Sequence, residues 1–194
     1  ELIIKIKSKK FNMTLEELAL QGKHNLYNSM AAGITARLLD IRKEIIKDSL
    51  SEFQHIEHRL EFVASIHGIE FINDSKATNV NSTWYAMEST NKQVVWIAGG
   101  VDKGYVFPLI KGLVKEKVKA IVCLGVNNDR ILSEFSGDVE NIVEIQAMSE
   151  AVKIAYHFAR RNDMVLLSPA CASFDLFDNY EDRGRQFKNA VNNL

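Results

Sequence analysis

The 194-residue chain is 46% hydrophobic and 25% charged, and a chain of this length can bury roughly 70% of its extended surface, which suits one domain, or one domain with part of another. Lys and Arg number 24 against 25 Asp and Glu, so a net charge of -1 offers nothing to a nucleic-acid backbone or an anionic membrane, and no apolar run nears the ~20 residues that span a bilayer. Cys123 and Cys171 form no CxxC pair, which fits a reducing compartment, so a soluble, cytoplasmic monomer is expected.

Residue 1 is Glu rather than Met, and Leu2-Ile3-Ile4-Lys5-Ile6 reads as a strand with its neighbours missing. Thr14 and Glu17 have the spacing of a capping box, which predicts one or two helical turns over 15 to 20. From 25 to 39, Leu26, Met30, Ile34 and Leu38 recur at i+4, predicting a helix whose stripe packs inward, with Asn25 and Asn28 sharing a different face. A second helix is predicted over 42 to 53 from Ile45, Ile46, Leu50 and Phe53. The polar stretch that follows marks a domain boundary, dividing the chain into 1 to 55 and 56 to 194.

Beyond the boundary, short apolar runs alternate with amphipathic helices, the pattern of an α/β domain with a mostly parallel, Rossmann-like sheet flanked by helices. Strands are predicted at 59 to 66 and 69 to 73, joined through His67-Gly68 as a hairpin, then at 94 to 98, 120 to 124, 142 to 145 and 164 to 168. Helices are predicted around Val80, Trp84 and Met87, after Pro108, around Ala151 to Phe158, and from Asp182 to the end. Ligands of such sheets bind outside the carboxyl ends of the strands.

Three such ends carry polar, small-residue loops. After 69 to 72 comes Asn73-Asp74-Ser75-Lys76-Ala77-Thr78-Asn79, after 94 to 98 comes Gly99-Gly100-Val101-Asp102-Lys103-Gly104, and after 164 to 167 comes Ser168-Pro169-Ala170-Cys171-Ala172-Ser173-Phe174-Asp175. A solvated loop with an Asn or Ser cap is the bland account of the first; the three together are better explained by a ligand edge. A GxxxxGK[ST] phosphate loop is absent from the sequence. His24, His55 and His58 lack the carboxylate or Cys company a zinc site needs, and Cys171 lacks a cationic or His neighbour in sequence that would lower its pKa, so neither a metal site nor a nucleophile is assigned. Arg183-Gly184-Arg185 is compatible with a basic clamp, a charged helix start or a salt-bridged tail.

Six strings in order, GKHNLYN at 22 to 28, HRLE at 58 to 61, NDSKATN at 73 to 79, GGVDKG at 99 to 104, SPACASFDLF at 168 to 177 and RGRQF at 183 to 187, resemble the muramyl-peptide (Mur) ligases of peptidoglycan synthesis. The DNPR-type string of the branch that adds a diamino acid is absent, so the resemblance is to the D-glutamate-adding branch.

The resemblance implies an ADP-forming amide ligase. Its partners would be ATP with Mg2+, UDP-N-acetylmuramoyl-L-alanine and D-glutamate, and its intermediate an acyl phosphate. It further implies that 1 to 55 is the tail of a central ATP-binding domain, that 56 to 194 is the C-terminal domain, and that the magnesium ligands lie mainly outside this chain. Asn25, Asn28, His58, Arg59, Asp74 and Lys76 match nucleotide-side positions, with Arg59 toward the phosphates and Asp74, on a surface loop, near the ribose. Thr78, Lys103, Ser173 and Phe174 match positions around D-glutamate, as does Tyr180, where the family often has Phe. The rival is a stand-alone Rossmann-like module that binds a nucleotide or amino acid without catalysis. A Ser or Cys hydrolase would need a GxSxG-like elbow or a matched His, and neither is visible.

Overall fold

The computed structural model describes residues 2–6, 9–19, 23–53, 56–104 and 106–194. The chain forms two compact units, Glu1–His55 and Ile56–Leu194.

In the first unit, β1 (Leu2–Ile6) and β2 (Lys9–Met13) pair antiparallel, and α1 (Lys23–Leu38) and α2 (Lys43–Ser51) follow. Phe11, Met13, Leu18 and Ile46 form its small core. The stripe predicted for α1 turns inward only at its start: Leu26 and Met30 are half-buried, whereas Ile34 is 40% and Leu38 66% exposed. Residues 15 to 19 form turns and not a helix, although Thr14 N–H does donate to Glu17 Oε2 at 2.8 Å.

The second unit is built on a six-stranded sheet of order β3-β4-β8-β5-β6-β7. Its strands are β3 (Glu61–Ile66), β4 (Ile69–Asn73), β5 (Val94–Gly99), β6 (Val118–Leu124), β7 (Asn141–Ile145) and β8 (Met164–Ala170). β3 and β4 form the antiparallel hairpin, whose His67 and Gly68 both have positive φ (50° and 81°), as a two-residue turn matched to strand twist requires. All other neighbours pair in parallel. β5 and β8 read as continuous apolar runs because helices cover both faces.

One face packs α3 (Val80–Glu88), a 3-10 turn (Phe107–Ile110), α4 (Lys111–Lys117) and α5 (Asp129–Phe135) against Trp96, Ile121 and Leu166. The other packs α6 (Met148–Phe158) and α7 (Tyr180–Asn192) against Val95, Ile97, Val165 and Leu167. The switch in side falls at β8, which returns between β4 and β5 and brings the loops after these three strands to one carboxyl edge. Among the described residues, no helix is long and apolar enough to cross a membrane.

Candidate functional site

The expected residues of the second unit lie along that edge. His58 and Arg59 precede β3; Asp74, Lys76 and Thr78 follow β4; Lys103 follows β5; Ser173 and Phe174 follow β8; Tyr180 opens α7. Non-glycine residues with positive φ mark the tightest places: His58 at 64°, Leu60 at 45° and Ala170 at 59°.

Asp74 is not a surface carboxylate. It is 5% exposed, Oδ1 accepts from the Leu60 N–H at 3.2 Å, and Oδ2 accepts from Ser168 Oγ at 2.9 Å. Burial pushes its pKa up to about 7, against the pull of those two donors and of Arg59. The carboxylate therefore holds the turn that carries Arg59. The Arg59 side chain itself is half-buried and makes no hydrogen bond or ion pair with other described side chains.

His58 is buried beneath this turn. Its Nδ1 accepts from Asn73 Nδ2 at 2.9 Å, its backbone N–H donates to Glu61 Oε2 at 2.9 Å, and its ring packs edge-on to Tyr180. Desolvation lowers its pKa, partly countered by Glu57 and Glu61. Glu57, His58 and Glu61 lie close enough together to suggest a cation site, but Lys188 Nζ already occupies it, 2.5 Å from Glu57 and 3.0 Å from Glu61. The magnesium expected of the resemblance therefore finds no fitting donor set here.

Lys76 Nζ donates to the Tyr180 hydroxyl at 3.3 Å and stands 5.2 Å from its ring centroid. Tyr180, expected beside the amino acid, thus sits with Lys76 and His58. Lys103 is exposed, with its ammonium 6.0 Å from the equally exposed Phe174 ring. Thr78 is half-buried and Ser173 is 2% exposed. Asn25 and Asn28 lie on α1 of the first unit, half-buried and exposed respectively. Gly22 of the first string, and His55, lie outside the described residues.

A cleft of about 440 Å3 opens between the loops after β5, β6 and β8, lined among others by Gly100, Asp102, Asn128, Arg130, Cys171 and Asp175. Arg130 pairs with Asp102 at its mouth. Lys103 and Ser173 border it in sequence but do not line it. Cys171 is buried, its thiol pushed up to about 12 by desolvation, so it is no nucleophile.

The sequence reading missed the buried residues that frame the edge, among them Asn73, Ser75 and Ser168. All three belong to strings it had singled out, but nothing in a string tells which of its polar residues turn inward.

The sequence of residues 58–171 matches the family described as Mur ligase, glutamate ligase domain. The chain belongs to this family. It is 58% identical over 193 residues to the UDP-N-acetylmuramoylalanine--D-glutamate ligase of Christiangramia forsetii, covering 100% of this chain and 43% of that protein. With the enzyme of the same name from Porphyromonas gingivalis it shares 49% identity over 194 residues, again covering 100% of this chain and 43% of the relative. The chain therefore spans less than half the length of these curated relatives. The crystal structure of MurF from Acinetobacter baumannii has the same fold, with a TM-score of 0.64 at 19% identity over 90% of this chain and 39% of that one.

Proposed function

We propose that this chain is the C-terminal part of an ATP-dependent ligase that adds D-glutamate to UDP-N-acetylmuramoyl-L-alanine in the cytoplasm. In this reading residues 1 to 55 are the tail of a central ATP-binding domain and 56 to 194 form the domain that receives the amino acid. The observation that carries it is the placing of cations along one sheet edge. Lys76 follows β4 and Lys103 follows β5, with β8 between them, so their loops leave the sheet two strand spacings, about 10 Å, apart. That separation leaves room for a phosphate chain on one side and a dicarboxylate on the other.

On the nucleotide side Arg59 offers a planar fork that makes no hydrogen bond to another described side chain and suits phosphate oxygens, with Lys76 as a point charge on the loop after β4. Asn25 and Asn28 are assigned to nucleotide binding by the resemblance alone. On the amino-acid side Lys103 meets a carboxylate, while Thr78 and Ser173 supply neutral donors and Phe174 an apolar face. The substrate carboxylate takes the γ-phosphoryl group and ADP leaves. The amine of D-glutamate then attacks the acyl carbon, phosphate departs, and the amine loses a proton as the amide forms. Mg2+, which screens phosphate charge in such transfers, would be held mainly by residues of the central domain outside this chain.

The test is ADP formation by the full-length ligase that contains this segment, with each substrate omitted in turn. Dependence on all three of ATP, UDP-N-acetylmuramoyl-L-alanine and D-glutamate is expected. Turnover with another amino acid in place of D-glutamate, or binding of nucleotide with no turnover, would refute the reading. The 194-residue chain alone, with no GxxxxGK[ST] loop in its sequence, is expected to release no phosphate from ATP.

A further inference from the structure

Arg183 stands out because its place is an unfavourable one for a cation, with Asp175 acting on its charge only from beyond ion-pair distance. It is 1% exposed, it lies in the first turn of α7, where the helix dipole opposes positive charge, and no carboxylate of the described residues lies within ion-pair distance. Burial lowers its pKa to about 10, so it remains charged at neutral pH. An apolar residue would be the more stable choice at such a place if packing were all that mattered.

Its hydrogen bonds indicate what the charge is for. Nε donates to Ser75 Oγ at 3.0 Å and Nη2 to the Ser75 carbonyl at 2.9 Å, on the loop after β4. Nη1 donates to the Cys171 carbonyl at 3.2 Å, on the loop after β8. The next residue, Ala172, exchanges two main-chain hydrogen bonds with Val101 of the loop after β5, at 2.8 and 3.1 Å. Gly100, with φ of 124°, lets that loop pass close over the guanidinium: a Cβ there would strike the Ala172 carbonyl and lie 3.4 Å from Nη1. A continuous path of bonds thus runs from Ser75, beside Lys76, through Arg183 and Ala172 to Val101, two residues from Lys103.

We propose that Arg183 is a positioning residue that locks the loop after β4 to the loops after β8 and β5, and so fixes the separation between the nucleotide-side and amino-acid-side groups. The proposal rests on the function proposed above. Only a planar fork makes these three bonds at once; an ammonium in the same place reaches one loop or the other. Loss of the fork frees both sides together, which no residue belonging to one side does.

The experiment is steady-state kinetics on the full-length ligase, with ATP and D-glutamate varied in turn, for the wild type, Arg183→Lys and Lys103→Ala. Wild-type turnover that ignores D-glutamate sinks the function reading, and this proposal with it; with that turnover in hand, the variants judge the proposal alone. Arg183→Lys is expected to raise KM for both substrates by about 10-fold, the loss of roughly one charged hydrogen bond's effect on each side, while Lys103→Ala raises only that for D-glutamate. A lower melting temperature with both KM values unchanged, or a rise confined to one substrate, would overturn the role. Should Arg183→Lys fail to fold, Ser75→Ala decides. It deletes one acceptor on the loop after β4 and is expected to raise KM for D-glutamate as well as for ATP, by about 3-fold. An unchanged KM for D-glutamate in that variant overturns the proposal.

Discussion

Asn73 and His58 are joined by a hydrogen bond whose direction is fixed from the Asn73 end. Asn73 Oδ1 accepts from the Ser75 N–H at 3.1 Å, and its NH2 reaches Glu61 Oε2 at 3.0 Å as well as His58 Nδ1 at 2.9 Å. The amide cannot be turned round without breaking its other bonds, to Ser75, Glu61 and the Gly184 carbonyl. His58 must then present a bare Nδ1 and carry its proton on Nε2, so the ring beside Arg59 is neutral.

The first expected outcome follows from that tautomer. Protonating Nδ1 would set two donors face to face, and burial already holds the His58 pKa below its ordinary 6.5. A group whose folded pKa lies below its unfolded one destabilises the fold as pH falls through the unfolded value, so His58 costs stability below about pH 6.5 and nothing above it. Nitrogen-15 NMR of the imidazole is expected to show the Nε2–H form titrating below 6.5. An Nδ1–H ring, or a midpoint above that value, would contradict the hydrogen-bond assignment.

Asp74 gives a pH dependence of the opposite slope. Its pKa is about 7 in the fold against 3.8 for a free carboxyl, so the unfolded chain loses this proton first and stability falls as pH rises from about 4 to 7. The full cost at pH 8 is on the order of 4 kcal/mol. Asp74→Asn keeps an acceptor for the Leu60 N–H and carries no charge. Urea unfolding is expected to find it more stable than the wild type at pH 8, with the gap closing toward pH 5. A gap that stays constant across that range would show that ionisation of Asp74 is not what is being measured.

Gly184 and His58 provide a packing test. A Cβ at Gly184 would strike the His58 ring, which has no room to move because Nδ1 is tied to Asn73. Alanine gains up to about 1 kcal/mol of helix propensity over glycine, but overpacking a buried site costs about 1–3 kcal/mol, so Gly184→Ala is expected to be destabilising on balance. In a double-mutant cycle with His58→Ala, most of the Gly184→Ala cost should disappear. Independent, additive effects would mean the two residues do not constrain each other.

Much of the sheet was legible because parallel strands buried on both faces spell themselves as apolar runs, as Val94-Val95-Trp96-Ile97-Ala98 does. α5 was not. Its seven residues bury only Ile131 and Phe135, too few repeats to stand out from a polar loop. The inward stripe read into α1 failed for a related reason: i+4 spacing says which residues share a face but not how far along the helix that face is covered. The edge loops were found as strings, yet the burial of Asp74 depends on Leu60 and Ser168, the latter 94 positions away, and long-range pairing leaves no local mark. Arg183 was visible as a charge, but a buried arginine with three neutral acceptors reads in sequence like any helix-start cation.

The division of the sheet edge is tested most directly by crossing two variants against two substrates in the full-length ligase. Lys103→Ala should raise KM for D-glutamate and leave that for ATP within about 2-fold, and Arg59→Ala should do the reverse. Each loss should be worth about 1.5–3 kcal/mol if the removed group makes a charged hydrogen bond in the closed site. If Lys103→Ala instead raised KM for ATP and spared D-glutamate, Lys103 would be a phosphate ligand, and the assignment of Arg59 to the nucleotide and Lys103 to the amino acid would be wrong.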